Sequence, residues 1–196
     1  MSRPVRIVEY DPRWPRLYDE ERRHVLEGVG TMVVAMEHIG STAVPGLGGK
    51  PILDMMAGVR RSADADECVT RLQDDYPDVT PEPEAPDWYY CLGKPCQSEP
   101  AYYVHLHLVR FASDHWARHL LFRDFLRTHP AAAQQYYGLK TELAELFGVD
   151  RVGYTEAKTS FITAMIDEAQ RSRASTSARA GRSSVETPVC GSERTT

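Results

Sequence analysis

Between His38 and Asp54 the chain reads HIGSTAVPGLGGKPILD. A β-branched, apolar run from Thr31 to Ile39 stops at Gly40-Ser41, and a glycine-rich loop follows. A second apolar run, from Pro51 to Val59, then carries one acid, Asp54. Apolar runs of this length bounded by glycine and proline predict two buried strands. Gly40 permits a tight turn and close backbone approach to a ligand. The Ser41 hydroxyl, with Thr42 and the neighbouring amides, suits a phosphate oxygen. A carboxylate among apolar strand neighbours is costly to bury without a cation or hydrogen-bond donors. Asp54 is therefore a candidate to hold a divalent metal beside that phosphate, with Lys50 adding positive charge. A tight loop held by Ser41 and Thr42, with Asp54 bonded to backbone amides, satisfies the same residues without a ligand.

Upstream, Val5–Tyr10 reads as a short strand, and Asp11-Pro12 opens a helix that runs to about Glu27 before Gly28 and Gly30. Downstream, Ser62–Asp74 predicts a helix capped by its serine. Pro77–Pro86 is proline-rich and acidic, hence a loop. Trp88–Leu92 and Ala101–Phe111 predict a hairpin pair of strands, followed by helices over Asp114–Arg127, Pro130–Phe147 and Thr155–Gln170. Strands first and helices second point to an α+β domain over residues 1–170, a mixed β-sheet flanked by helices with a helical C-terminal half. From Arg171 to Thr196 the chain is rich in Ser, Thr, Arg and Ala with few large apolar residues, which predicts a disordered polar tail.

In the run around His105-Leu106-His107, strand alternation puts both imidazoles on one face. Beside Asp54 they would make a three-ligand site for Zn²⁺, Mn²⁺, Fe²⁺ or Ni²⁺ more readily than for Mg²⁺. Contact with a substrate phosphate, or hydrogen bonding in a polar cleft, explains the pair equally. His38, near the end of its strand, is a candidate fourth ligand or general base. On the next helix His119, Arg123 and Arg127 fall along one face, and Arg123 is the one favoured for a phosphate. Lys158, in the first turn of the last expected helix, is badly placed for the helix dipole and so is a candidate anion ligand. Trp88, Tyr89, Tyr90, Tyr102 and Tyr103 suit either stacking on a base or ordinary packing.

The composition narrows the function classes. The 196 residues are 42% apolar and 26% charged, with a net charge of −5. That is a globular composition, and the charge argues against a nucleic-acid partner held through its phosphates. No apolar run is long enough to span a membrane, and the N-terminus has no signal-peptide pattern, so a cytoplasmic location is expected. Cys68, Cys91, Cys96 and Cys190 match no zinc-ribbon spacing and read as reduced thiols. A Cys91–Cys96 disulfide or metal role across the hairpin is the alternative.

The stretch HIGSTAVPGLGGKPILD resembles the GrpB (UPF0157) family, a branch of the nucleotidyltransferase superfamily. VEYDPRWPRLYDEE, YYVHLHLVR, HWARHLLFRDFLRTHP and YTEAKTSFI carry the likeness, in order, over residues 5–170. The resemblance implies a nucleotidyltransferase-like fold with its site beside the Gly-Ser turn. It also implies a nucleotide and a small-molecule acceptor as substrates, and a divalent metal (Mg²⁺, or a transition metal such as Zn²⁺ or Mn²⁺). On that reading Asp54, His38 and Lys50 are catalytic. Gly40, Ser41, Thr42, Arg123 and Lys158 bind the nucleotide phosphates, and Asp54, His105 and His107 hold the metal. One departure stands out. The superfamily places two acids two residues apart after the turn, so that both face one side of the strand and clamp two metal ions. Here the second position is Met56.

Overall fold

The computed structural model describes residues 4–82, 86–99 and 101–183. Helix α1 (Trp14–Val29) begins just after Pro12 and buries Trp14, Leu17, Glu21, Val25 and Val29, a one-sided stripe at helical spacing. A 3₁₀ turn leads into β1 (Val33–Ile39), and a second 3₁₀ turn, Ser41–Ala43, follows Gly40. Then come β2 (Ile52–Val59), α2 (Ser62–Leu72), β3 (Asp78–Pro81), β4 (Trp88–Pro95) and β5 (Tyr103–Arg110). Four helices complete the described chain: α3 (Asp114–Thr128), α4 (Pro130–Phe147), α5 (Arg151–Ala157) and α6 (Thr159–Ser183). None of these helices is long and apolar enough to cross a membrane.

The strands form one mixed sheet in the order β1-β2-β5-β4-β3, with β2 and β5 parallel and the other pairs antiparallel. This is the α+β, helix-flanked arrangement expected. One face carries Leu53, Met55, Ala57, Val104, Leu106 and Leu108, sealed by α1 and α2. On the opposite face, Ile39, Met56, Val109 and Trp116 make a small cluster under α3. A third cluster joins Val44 and Leu47 of the glycine-rich loop to Leu121, Phe125, Tyr136 and Ile166 of the helical half. The loop is therefore bolted to the helices rather than free, and Arg127 Nε adds a 2.9 Å bond to the Ala43 carbonyl.

Several elements differ from the sequence expectation. Val5–Tyr10 is not a strand: its one bridge is Val8 to Gly49, held by a reciprocal pair of backbone hydrogen bonds to the glycine-rich loop. Within Pro77–Pro86, Asp78–Pro81 pairs with β4, and Pro81 is tolerated there because an edge strand needs no outward N–H bond. Ser62 lies inside α2, whose start is held by Asp64 accepting from the Arg61 backbone N–H at 3.2 Å. The expected last helix is two helices that break at Lys158. The second runs to Ser183, past the boundary drawn at residue 170. The remainder of the expected tail, 184–196, lies outside the described residues.

Candidate active site

Strand register builds the centre of the site. In the parallel pair, Asp54 sits opposite His105 and Met56 opposite His107, while β4 sets Cys91 opposite His107. Alternation then turns Asp54, His105, His107 and Cys91 to the same face. The Asp54 carboxylate lies 3.3 Å from His105 Nδ1 and 3.7 Å from His107 Nε2. Burial pushes the Asp54 carboxyl up, but the two imidazoles outweigh it and hold the group well below the usual carboxylate range. Gly40 is required beside it: φ is +70°, and a Cβ there would stand 2.5 Å from an Asp54 oxygen. The turn and the acid are thus packed as one unit.

The donor atoms that converge are those of Cys91, His105 and His107, which lie within 4.8 Å of one another, a cluster able to hold a metal ion. Trp88 stands edge-on to His107 at 5.1 Å, and Tyr103 edge-on to His105 at 5.5 Å. Burial and the Asp54 charge push the Cys91 thiol up to about 12, so without a cation it is a neutral thiol. The two-Mg²⁺ arrangement implied by the resemblance does not fit these residues. Met56 is fully buried against Ile39, Val109 and Trp116, and the converging donors are nitrogen and sulfur where Mg²⁺ takes oxygen.

Beside this centre is a cavity of about 480 Å³ whose wall includes Ser41, Asp54, His107, Lys140, Tyr154 and Lys158, with Lys50 also at its edge. Lys140 projects from α4 and is only 2% exposed. Its ammonium donates to Ser41 Oγ at 2.8 Å and to the Gly48 carbonyl, and stands 4.7 Å over the Tyr136 ring. Lys158, delivered by the break between α5 and α6, lies 4.3 Å over the Tyr154 ring, and Lys50 lies 5.4 Å over it. Burial, reinforced by the neighbouring lysines, lowers Lys140 to about 7 and Lys158 to about 8, and burial lowers Lys50 as well. Three cations held close together in a part-dry cavity are a receptor for a multiply charged anion.

Other residues singled out from the sequence lie elsewhere. His38 is 7% exposed, stacked on Tyr18 at a 4.6 Å centroid distance, with Nε2 2.9 Å from Thr42 Oγ1. The Thr42 hydroxyl donates to the Ile52 carbonyl, so both residues tie the loop to the strands instead of facing the cavity. Burial holds His38 down at about 4, too weak a base to suit a general-base role near neutrality. Arg123 is spent on Glu37 at 2.6 Å, Asp124 at 2.8 Å and the His38 carbonyl at 3.1 Å. Of the aromatic residues, Trp88 lines the cavity, whereas Tyr89, Tyr90 and Tyr102 pack against the main core. Sequence reading missed Lys140, Tyr154 and the partnership of Cys91 with the histidines. Lys140 sits in a long helix with no local anomaly, whereas Cys91 was reachable in principle, once the hairpin register was known.

A sequence model of the GrpB protein family matches residues 4–168. The chain belongs to the GrpB family. Its relatives include a UPF0157 protein of Halalkalibacterium halodurans, 32% identical over 84% of this chain and 82% of that protein. Another is the glutamate-rich protein GrpB of Alkalihalophilus pseudofirmus, 29% identical over 84% of this chain and 95% of the relative. The crystal structure of the conserved protein GrpB from Enterococcus faecalis superposes with a TM-score of 0.73 at 30% identity, covering 86% of this chain and 99% of that one. The likeness thus takes in the sheet, the glycine-rich loop and the helices that supply Lys140 and Lys158.

Proposed function

We propose that this GrpB protein binds a nucleoside triphosphate by its phosphates and transfers the nucleotidyl group to a small-molecule acceptor. The observation that carries the proposal is the convergence of Ser41, Lys50, Lys140 and Lys158 on one cavity beside Asp54. With Lys140 donating to its oxygen, Ser41 keeps its own proton to offer a phosphate oxygen, and the Gly40 turn lets the ligand approach the backbone. An acceptor nucleophile attacks the α-phosphorus and releases its proton to solvent, the bond to the bridging oxygen breaks, and pyrophosphate leaves. The lysines offset the charge gathering on the leaving group. A divalent cation on the Asp54–His105–His107 face would add Lewis-acid character when bound. Neither a nucleic acid nor a membrane enters this reading.

A second reading keeps the anionic substrate but changes the reaction to hydrolysis or elimination on a small molecule. The nitrogen and sulfur donors at Cys91, His105 and His107 favour it, because they are not the ligand set of a phosphoryl-transfer magnesium site. Calorimetric titration with pyrophosphate and with each common nucleoside triphosphate, followed by assay for pyrophosphate release against a metabolite mixture, separates the readings. Triphosphate binding with metabolite-dependent pyrophosphate release supports transfer. Metal uptake without triphosphate turnover supports the second reading. Triphosphate binding that ignores metal and yields no product leaves a non-catalytic nucleotide-binding domain.

A further inference from the structure

We infer that Cys91, His105 and His107 form a single transition-metal site of the zinc class, with Asp54 as a positioning residue behind the two imidazoles. The inference deepens the proposed function, from which it takes the need for a cation beside the phosphate cavity. Three observations carry it. The donor atoms of the three side chains lie within 4.8 Å of one another. The set is two imidazoles and one thiol, borderline and soft donors that select zinc-like ions over Mg²⁺. The β4–β5 register fixes Cys91 directly across from His107, so the arrangement is a property of the sheet and not of a loose rotamer.

The place of Asp54 follows from its partners. It faces Nδ1 of His105 and Nε2 of His107, which leaves the opposite nitrogen of each ring for a cation. A carboxylate behind a metal-binding histidine fixes the ring and its tautomer and raises its basicity. Gly40, pressed against Asp54 with no room for a Cβ, couples that orientation to the phosphate-binding turn. All three ligands line the same cavity as Ser41, Lys140 and Lys158. Three protein ligands leave a fourth position open, the pattern of a catalytic rather than a structural zinc site. A nitrogen–sulfur site of this kind needs no second acid at Met56.

The test is Co²⁺ titration of the full chain after removal of metal by a chelator, read by absorption spectroscopy. One equivalent of Co²⁺ is expected to give a thiolate-to-cobalt charge-transfer band that Zn²⁺ abolishes by displacement and excess Mg²⁺ leaves intact. Cys91→Ser removes the band, while Cys96→Ser keeps it. Asp54→Asn keeps the band but weakens Co²⁺ binding by about 10–100-fold, an outcome a purely structural aspartate would not give. If Cys91→Ser does not fold, His107→Ala, read as a loss of Co²⁺ affinity, carries the same decision. A cobalt complex without the charge-transfer band, a band that survives in Cys91→Ser, or displacement by Mg²⁺ overturns the assignment. The readout needs no nucleotide, so its failure leaves the phosphate reading standing, and failure of pyrophosphate to bind leaves this one standing.

Discussion

The two faces of the sheet are built from the same strands and serve opposite purposes. On β2, Leu53, Met55 and Ala57 point one way and Asp54 and Met56 the other. On β5, Val104, Leu106 and Leu108 oppose His105, His107 and Val109. The face under α1 and α2 is closed and largely apolar, its main polar inclusions being the buried Lys94–Glu21 ion pair at 2.6 Å, which Tyr76 joins, and His38 against Tyr18. The face under the helical half is divided: its far end, with Met56, Val109 and Trp116, is as dry as the core, and only the end near the Gly40 turn is polar. Moving one residue along either strand therefore changes what a substitution tests, from stability to ligand chemistry. Moving two residues, from Asp54 to Met56, crosses from the polar half of a face to its apolar half.

That division yields the largest expected effect. Met56→Asp supplies, on paper, the second acid that a resemblance to nucleotidyltransferases would call for. In this fold it buries a carboxylate among Ile39, Val109 and Trp116, directly across from the Glu37 carboxylate, which already occupies Arg123. It should destabilise the protein by about 4 kcal/mol or more in urea unfolding and confer no Mg²⁺-dependent activity. A stable, Mg²⁺-responsive variant would mean that the two halves of this face are one polar site. Next comes the closed face. Leu106→Ala, in a fully buried position, should cost about 3 kcal/mol. Pyrophosphate affinity should be preserved under conditions where the variant is folded, and a specific loss would show that the two faces are coupled.

Lys140→Met should reverse that pattern, with a large effect on ligand binding and a small one on stability. It removes a cation bonded to Ser41, so pyrophosphate affinity should fall about tenfold or more by calorimetry. Stability at pH 7 should change by only about 1 kcal/mol, because the lost bonds to Ser41 and Gly48 are offset by no longer burying an ammonium. The pH dependence is specific. Lys140 titrates at about 7 when folded and near 10.5 when unfolded, so between those values the unfolded chain holds the extra proton. The lysine's contribution to stability thus rises with pH across that window, and the variant should show a shallower rise. Pyrophosphate binding, which needs the protonated form, should weaken as pH climbs through 7 to 8 in the wild type.

Periodicity and turn chemistry made most of the sheet legible in the sequence. The runs around Met36, Leu53 and Leu106 are mostly apolar, and a glycine or proline (Gly30, Pro51, Pro100) precedes each. Asp54 and the histidine pair were legible as a candidate site because polar groups in apolar strands stand out. Their partner Cys91 was not, because its meaning depends on the β4–β5 register, which no local pattern in a tyrosine-rich strand specifies. Lys140 stayed hidden for a related reason: inside a helix a lysine looks solvated until the packing of that helix on Ser41 is known. Arg123 shows the converse error. Its place on a basic stripe was correct, but Glu37, contributed by a distant strand, had already neutralised it.

His38 is the case where the expected effect is smallest and the distinction sharpest. Its position at the end of β1, beside the Gly-Ser turn, made it a candidate general base. Burial, with Arg127 and Arg123 adding to it against the pull of Asp54, lowers it from 6.5 to about 4, so the folded protein keeps it neutral through the neutral range. Between pH 4 and 6.5 the unfolded chain binds the proton and the folded one does not. The residue's contribution to stability therefore falls as pH drops through 6.5 and levels off below 4. His38→Gln should lose about 1 kcal/mol at pH 7, the ring contact with Tyr18, while retaining a donor for Thr42. The gap to the wild type should then close soon below pH 6.5 and reverse before pH 4, because the wild type loses about 3 kcal/mol over that window. Comparing the two proteins cancels the acid sensitivity of His115 and His119, which burial also lowers. Pyrophosphate affinity should be unchanged, since His38 ties the loop to its strand and does not reach the cavity. A substantial loss of affinity, or an ionisation lost from the pH–rate profile, would return His38 to the catalytic side of the turn.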